Sequence, residues 1–199
     1  MPRERSNARP IGSPARTTTI ALARTFALAL FFAFFSEHKI SAAAPSEYEV
    51  KAAFILNFAR FVEWPSDAFR SPTSPLVIGV VGANDIAEVL PRVVANQTAQ
   101  GRPIEVRPLE PTDDSSACQV LFIGRSVGDA AEGILKSARK RPVLTVGETD
   151  GFNTLGGIIR FLIIEKSVRF DVHAKTAADA GLKISSKLLS VARTVIKSP

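Results

Sequence analysis

Active sites and metal centres are built most often from histidine, cysteine and carboxylates held close together. This chain of 199 residues has two histidines and one cysteine. His173 is the only histidine beyond the N-terminal segment. It ends a run that reads as a strand, where a capping or surface role accounts for it. No serine or cysteine motif points to it as a catalytic partner. His173 with Cys118 makes too few ligands for a zinc site, and Cys118 reads as a small buried apolar group. Asp113 and Asp114 are adjacent in a turn-like loop and read as solvated. The residues therefore predict no catalytic residue, no metal and no cofactor.

Three further stretches deserve weighing as binding sites. "GVVGAND", Gly79 to Asp85, is a strand–turn–helix with two glycines. It lacks the third glycine of a dinucleotide fingerprint and the Gly-Lys-Ser/Thr of a phosphate loop, so it reads as a tight turn. No "GxSxG" nucleophile elbow occurs. "TVGETDGF", Thr145 to Phe152, follows a strand, where α/β sheets often place binding groups. Asp150 and Gly151 suit a turn there, and Phe152 is either exposed or tucked under it. Arg160 and Arg169 fall on two runs expected to pair, where they would form a basic patch. Phe152, Arg160 and Arg169 are therefore the candidate partner-binding residues. A small-molecule site near the loop after Gly147 is the alternative.

The elements that position these residues follow from the pattern of apolar side chains. "KAAFILNFARFVEWP" belongs to a helix expected over 47–64. Val50, Phe54, Phe58 and Phe61 share one face by the 100° step, with Ala53 and Asn57 beside it. Asn57 is expected to need a buried hydrogen-bond partner, and Pro65 stops the helix. "LVIGVVG" (76–82) is a strand covered on both sides. A helix capped by Asn84 or Asp85 follows to Val94. "IEVRPL" from Ile104, "QVLFIG" (119–124) and "PVLTVG" (142–147) are further strands. Ser126 and Asp129 resemble a capping box for a helix ending near Ala138. "GIIRFLIIE" and "SVRFDVH" read as a hairpin. In the second run Val168, Phe170 and Val172 alternate with Arg169, Asp171 and His173. The last helix begins near Ser185, with Ile184 and Leu189 as a hydrophobic staple and Leu188, Ala192 and Val195 as its buried stripe. The fold class is α/β: a mostly parallel sheet flanked by helices, with a C-terminal antiparallel hairpin and a terminal helix, in Rossmann-like three-layer form.

Charge and the N-terminal segment bound the function further. The net charge of +6 looks like that of a nucleic-acid binder until the charges are located. Of 25 basic and 19 acidic residues, six and two precede Pro45, which leaves 19 against 17. That near balance argues against a phosphate-binding surface, so no nucleic-acid partner is expected. Residues 1–44 read as a cleaved secretory signal. Arginines precede the apolar run from Phe26 to Phe35, and Ala42 and Ala44 fit the small-x-small cleavage pattern. That run is short of the roughly 20 residues that span a bilayer; an uncleaved anchor is the alternative. No cysteine near the cut allows a lipid-anchored N-terminus. The lone Cys118 cannot form an intrachain disulfide, so residues 45–199 must be stable as one domain from their core alone. The residues by themselves support an exported α/β binding or regulatory domain.

The ordered motifs "YEVKAAFILNFARFVEWP", "GRPIEVRPL", "LFIGRS", "PVLTVGETDGF", "GGIIRF" and "LKISSKLLSVAR" resemble the YfiR family of periplasmic regulators. The resemblance runs over essentially all of 45–199. It implies a periplasmic, non-enzymatic α/β protein, often a homodimer. It implies as partner an inner-membrane diguanylate cyclase, or another membrane sensor protein, bound through its periplasmic region and repressed. It also implies an outer-membrane-associated lipoprotein that sequesters the repressor, so that cyclic-di-GMP and biofilm formation change. Some members carry cysteine pairs; with only Cys118, disulfide-based redox control does not transfer to this chain.

Overall fold

Ser46 opens the first helix with a capping box. Its hydroxyl accepts from the Glu49 N–H at 3.2 Å, and Glu49 Oε2 accepts from the Ser46 N–H at 2.7 Å. These bonds hold the Glu49 carboxyl below its ordinary range. The structure is a computed structural model and describes residues 44–197. All but the last residue of the expected leader therefore lies outside the described residues. In chain order the elements are α1 (Glu47–Phe61), β1 (Val62–Glu63), β2 (Leu76–Val81), α2 (Asn84–Val94), β3 (Thr98–Ala99), β4 (Arg102–Leu109) and β5 (Val120–Ile123). Then come α3 (Ala130–Ala138), β6 (Leu144–Gly147), β7 (Ile159–Ile164), β8 (Ser167–His173), α4 (Ala174–Asp179), β9 (Lys183–Ile184), α5 (Ser186–Val191) and β10 (Thr194–Ile196).

Eight strands form one sheet in the order β10-β8-β7-β6-β5-β2-β4-β3. The pairs are parallel except β3 with β4 and β7 with β8. The expected mostly parallel α/β sheet with its antiparallel hairpin is what the chain forms. Alternate side chains leave opposite faces. Ile78, Val80, Phe122, Val146, Phe161 and Phe170 join Ile55, Phe58, Ile86 and Leu90 in the larger core under α1 and α2. Val81, Leu121, Ile123 and Phe152 pack with Ala131 and Leu135 of α3 on the other face.

Several local expectations change. The first helix stops at Phe61 rather than Trp64, because Val62 is extended and pairs with Ile184 as β1–β9. Its buried arc is centred on Ala52, Ile55, Phe58 and Ala59, turned away from the Val50–Phe54–Phe61 stripe. The helix is covered by α2 as well as by the sheet, so the arc widens toward α2. Asn57 falls outside it and is exposed, so it needs no buried partner. Trp64 is buried, and its indole N–H donates to the Gln119 carbonyl at 3.2 Å. Ala83, not Asn84, sits at the α2 cap, and no side chain caps it. Ser126 caps nothing in α3; its hydroxyl donates to the Gly82 carbonyl at 2.7 Å, and a 3-10 turn, Arg125–Val127, precedes the helix.

The C-terminus departs most. Ser185 caps α5 as expected, its hydroxyl accepting from the Leu188 N–H at 3.3 Å. The helix ends at Val191, and Val195 lies on β10, parallel to β8. The alternation along β8 therefore fails at its end: Asp171 and His173 are buried. Arg193 grips Asp171 through two bonds, Nε to Oδ1 at 2.7 Å and Nη2 to Oδ2 at 2.6 Å. Removing the arginine leaves a buried carboxylate without its bidentate partner. Arg193→Ala should therefore lower stability, by an amount moderated because the arginine itself is half exposed. Urea denaturation checks it, with Arg193→Lys expected to recover only part of the loss.

Candidate interaction surface

The loop after β6 is built around one buried ring. Phe152 is 0 % exposed and lies between the backbones of Gly147 and Gly157, where a Cβ at either position would overlap it. That close approach is why glycine occupies both positions. Phe152 was a candidate contact residue; its burial makes it the wedge that shapes the loop, out of reach of a partner in this conformation. Gly151, at φ +74°, turns the chain just before it. Asp150 is fully exposed, and its carboxylate stands 3.9 Å from the Arg160 guanidinium.

Beside this loop lies a charged cluster that the sequence reading did not single out. Lys51 is 1 % exposed, and its ammonium donates to Glu47 and to Glu148, which follows β6. Burial pulls the Lys51 pKa down, but the hydrogen bonds to Glu148 and Glu47 outweigh it, and the net direction is upward. Arg125 adds a second cation 3.8 Å from Glu148. Tyr48, on the same turn of α1, has its pKa raised, first by a hydrogen bond to Asp85. This cluster ties the start of α1 to the carboxyl ends of the strands. A lysine at an otherwise apolar helix position is the signal that could have found it.

Open α/β sheets commonly bind ligands where the strand order reverses, here between β2 and β5. In this protein that crevice is filled by protein. The Gly124 N–H donates to the Val81 carbonyl at 2.8 Å, and a Cβ on Gly124 would overlap the Gly82 carbonyl. Val127 closes over Gly82 in the same way. At the other end of the same strands Cys118 is buried against Gly79, and burial pushes its thiol pKa up, which keeps it protonated and inert.

The β7–β8 hairpin is different. Glu165 (φ +48°) and Lys166 (φ +63°) make its two-residue turn, the left-handed pair that matches strand twist. One face, with Phe161 and Phe170, packs into the larger core. On the other, Arg160 stands opposite Asp171 and Leu162 opposite Arg169. Arg160 is partly exposed and Arg169 is exposed. The structure thus brings these two candidates onto one face and leaves Phe152 beneath the neighbouring loop. At the tip, Ile163 and Ile164 are 43 % and 36 % exposed, two of the four large exposed hydrophobics among the described residues. Ile164 shares the face of Leu162 and the two arginines, whereas Ile163, opposite Val168, lies on the face of Phe161 and Phe170.

Fold and site define a three-layer α/β domain with a filled switch point and an open hairpin face. The model of the YfiR/HmsC-like family matches residues 48–193. The chain belongs to that family. A crystal structure of a conserved domain protein from Vibrio cholerae is similar in fold, with a TM-score of 0.55 at 16% identity. The match covers 75% of this chain and 60% of that one, so this chain spans less than two thirds of that protein's length.

Proposed function

We propose that this chain is an exported regulator, not an enzyme, which binds the periplasmic part of an inner-membrane signalling protein. The partner class favoured is a diguanylate cyclase, held down so that cyclic-di-GMP falls inside the cell. Membership of the YfiR/HmsC-like family over residues 48–193 carries this reading. The leader, residues 1–44, would be removed on export. An outer-membrane-associated lipoprotein would compete for the regulator and release the cyclase. The regulator acts by binding one conformation of its partner better than the other, which is the only way a ligand shifts such an equilibrium.

The hairpin face is the proposed contact, with Leu162 and Ile164 as apolar anchors and Arg169 and Arg160 selecting a partner with acidic groups. Arg169→Glu should weaken partner binding about tenfold or more while leaving the fold intact, since Arg169 is exposed and faces Leu162. Arg160 calls for glutamine rather than glutamate, because a new carboxylate would stand directly opposite Asp171. Affinity capture from solubilised membranes, with wild type and both variants, is the measurement. Recovery of no membrane protein would sink the reading, and equal recovery with both variants would remove the hairpin from it. Deletion should raise cyclic-di-GMP where a candidate cyclase is present; an unchanged level counts against the cyclase.

A further inference from the structure

We infer that the second face of the sheet holds a binding site for a small aromatic or aliphatic carboxylate that also bears a hydrogen-bond donor. The site is a cavity of about 560 Å³ between the C-terminal half of α3 and helix α4. That volume lies in the range of small-molecule pockets. It is separate from the filled switch point and from the hairpin face, so it does not depend on the identity of the partner.

The floor of the cavity carries three polar side chains, each more than nine-tenths buried, and each with hydrogen-bonding capacity left over. His173 is 8 % exposed, and its Nδ1 accepts from the Thr176 N–H at 3.3 Å. The ring proton therefore sits on Nε2, which has no protein partner among the described residues. Every fully buried polar side-chain atom among the described residues is partnered, so Nε2 is reached from the cavity that His173 lines. Thr145 is 3 % exposed; its hydroxyl accepts from the Ile158 N–H at 3.0 Å, and its own proton has no acceptor among the described residues. Asn153 is 9 % exposed; its Nδ2 donates to the Gly157 and Ile158 carbonyls at 3.1 and 3.2 Å, leaving Oδ1 free to accept.

Two donors and one acceptor thus converge on a buried floor. These groups open onto the cavity, where water can meet them in the empty protein and a guest with complementary groups can take its place. The rim supplies the charge. Arg139, Lys175 and Asp179 line the cavity; Lys175 and Asp179 pair with each other at 2.7 Å, which leaves Arg139 as the excess positive charge. Leu135, Val143 and Ile196 make apolar walls. A carboxylate would accept from His173 Nε2 and the Thr145 hydroxyl, an adjacent hydroxyl or N–H would donate to Asn153, and an apolar body would line the walls.

The probe is mandelate, whose hydroxyl is adjacent to its carboxylate, with mandelamide as the neutral analogue, titrated calorimetrically into the chain as isolated from cells that express it. The carboxylate should bind at least tenfold more tightly than the amide. His173→Asn keeps an acceptor for the Thr176 N–H but withdraws the Nε2 donor, so it should fold and bind at least tenfold more weakly. Ala180→Trp, at the rim, should fill the cavity and abolish binding. No binding by folded wild type, equal affinity for the amide, or unchanged affinity in both variants would each overturn the site. None of these outcomes bears on capture of the membrane partner, so the two readings fail separately.

Discussion

Phe58→Ala is expected to lower stability by about 3–5 kcal/mol, the cost of emptying a buried phenylalanine site. The ring is 0 % exposed and central to an aromatic cluster, with centroids 5.6 Å from Phe161, 5.0 Å from Phe170 and 6.1 Å from Phe54. Phe161 and Phe170 face each other across the β7–β8 ladder, so Phe58 pins α1 onto the hairpin. The truncation therefore removes the packing that holds the back of the proposed contact face. For a domain of this size the loss corresponds to a fall in Tm of roughly 6–20 °C, read by calorimetry or circular dichroism. A Tm that barely moves would mean that this face is not core, and α1 would become a docking candidate.

The second large effect belongs to Lys51. Lys51→Met should cost about 3–5 kcal/mol, because it leaves Glu148, itself largely buried, with only the solvent-exposed Arg125 at 3.8 Å. Lys51→Met combined with Glu148→Leu should recover most of that loss, since a buried pair exchanged for apolar groups of similar size is often neutral. Denaturant titration of the two single variants and the double variant gives the coupling. Additive losses would show that the pair is not coupled. The alkaline behaviour follows from the sign of the shift. The folded-state pKa of Lys51 is raised above its ordinary 10.5, so its contribution is fully present below that value and is lost as pH rises through the higher one. Lys51→Met should therefore show a smaller alkaline loss of stability than wild type.

Much of the architecture was legible in the chain. Six consecutive buried residues in β2 and four each in β5 and β6 read as strands covered on both faces, and so they are. The hairpin was equally plain from its two runs and short connection. The site was less so. That Arg160 and Arg169 share a face was legible because a predicted hairpin must place paired residues on common faces. Phe152 was named as a contact, yet the glycines that made its stretch conspicuous are the ones that seat its ring in the interior. His173 was expected in a surface or capping role; it does cap α4, but it is buried, and the cavity it lines joins α3, β6 and α4, a meeting that no local pattern reports.

By itself, then, the sequence determined the element types, the covered strands and the hairpin, because these depend on side-chain period and on turns within a few residues of each other. Tertiary structure decided which polar residues are buried. Lys51 meets Glu148 across 97 positions of chain, and Asp171 is enclosed only because the chain returns as β10 and brings Arg193 to it. Asn57, with no such visitor, stays in water. The energy of a charge depends on what surrounds it in space, and a local reading of the sequence cannot see partners that arrive from another part of the chain.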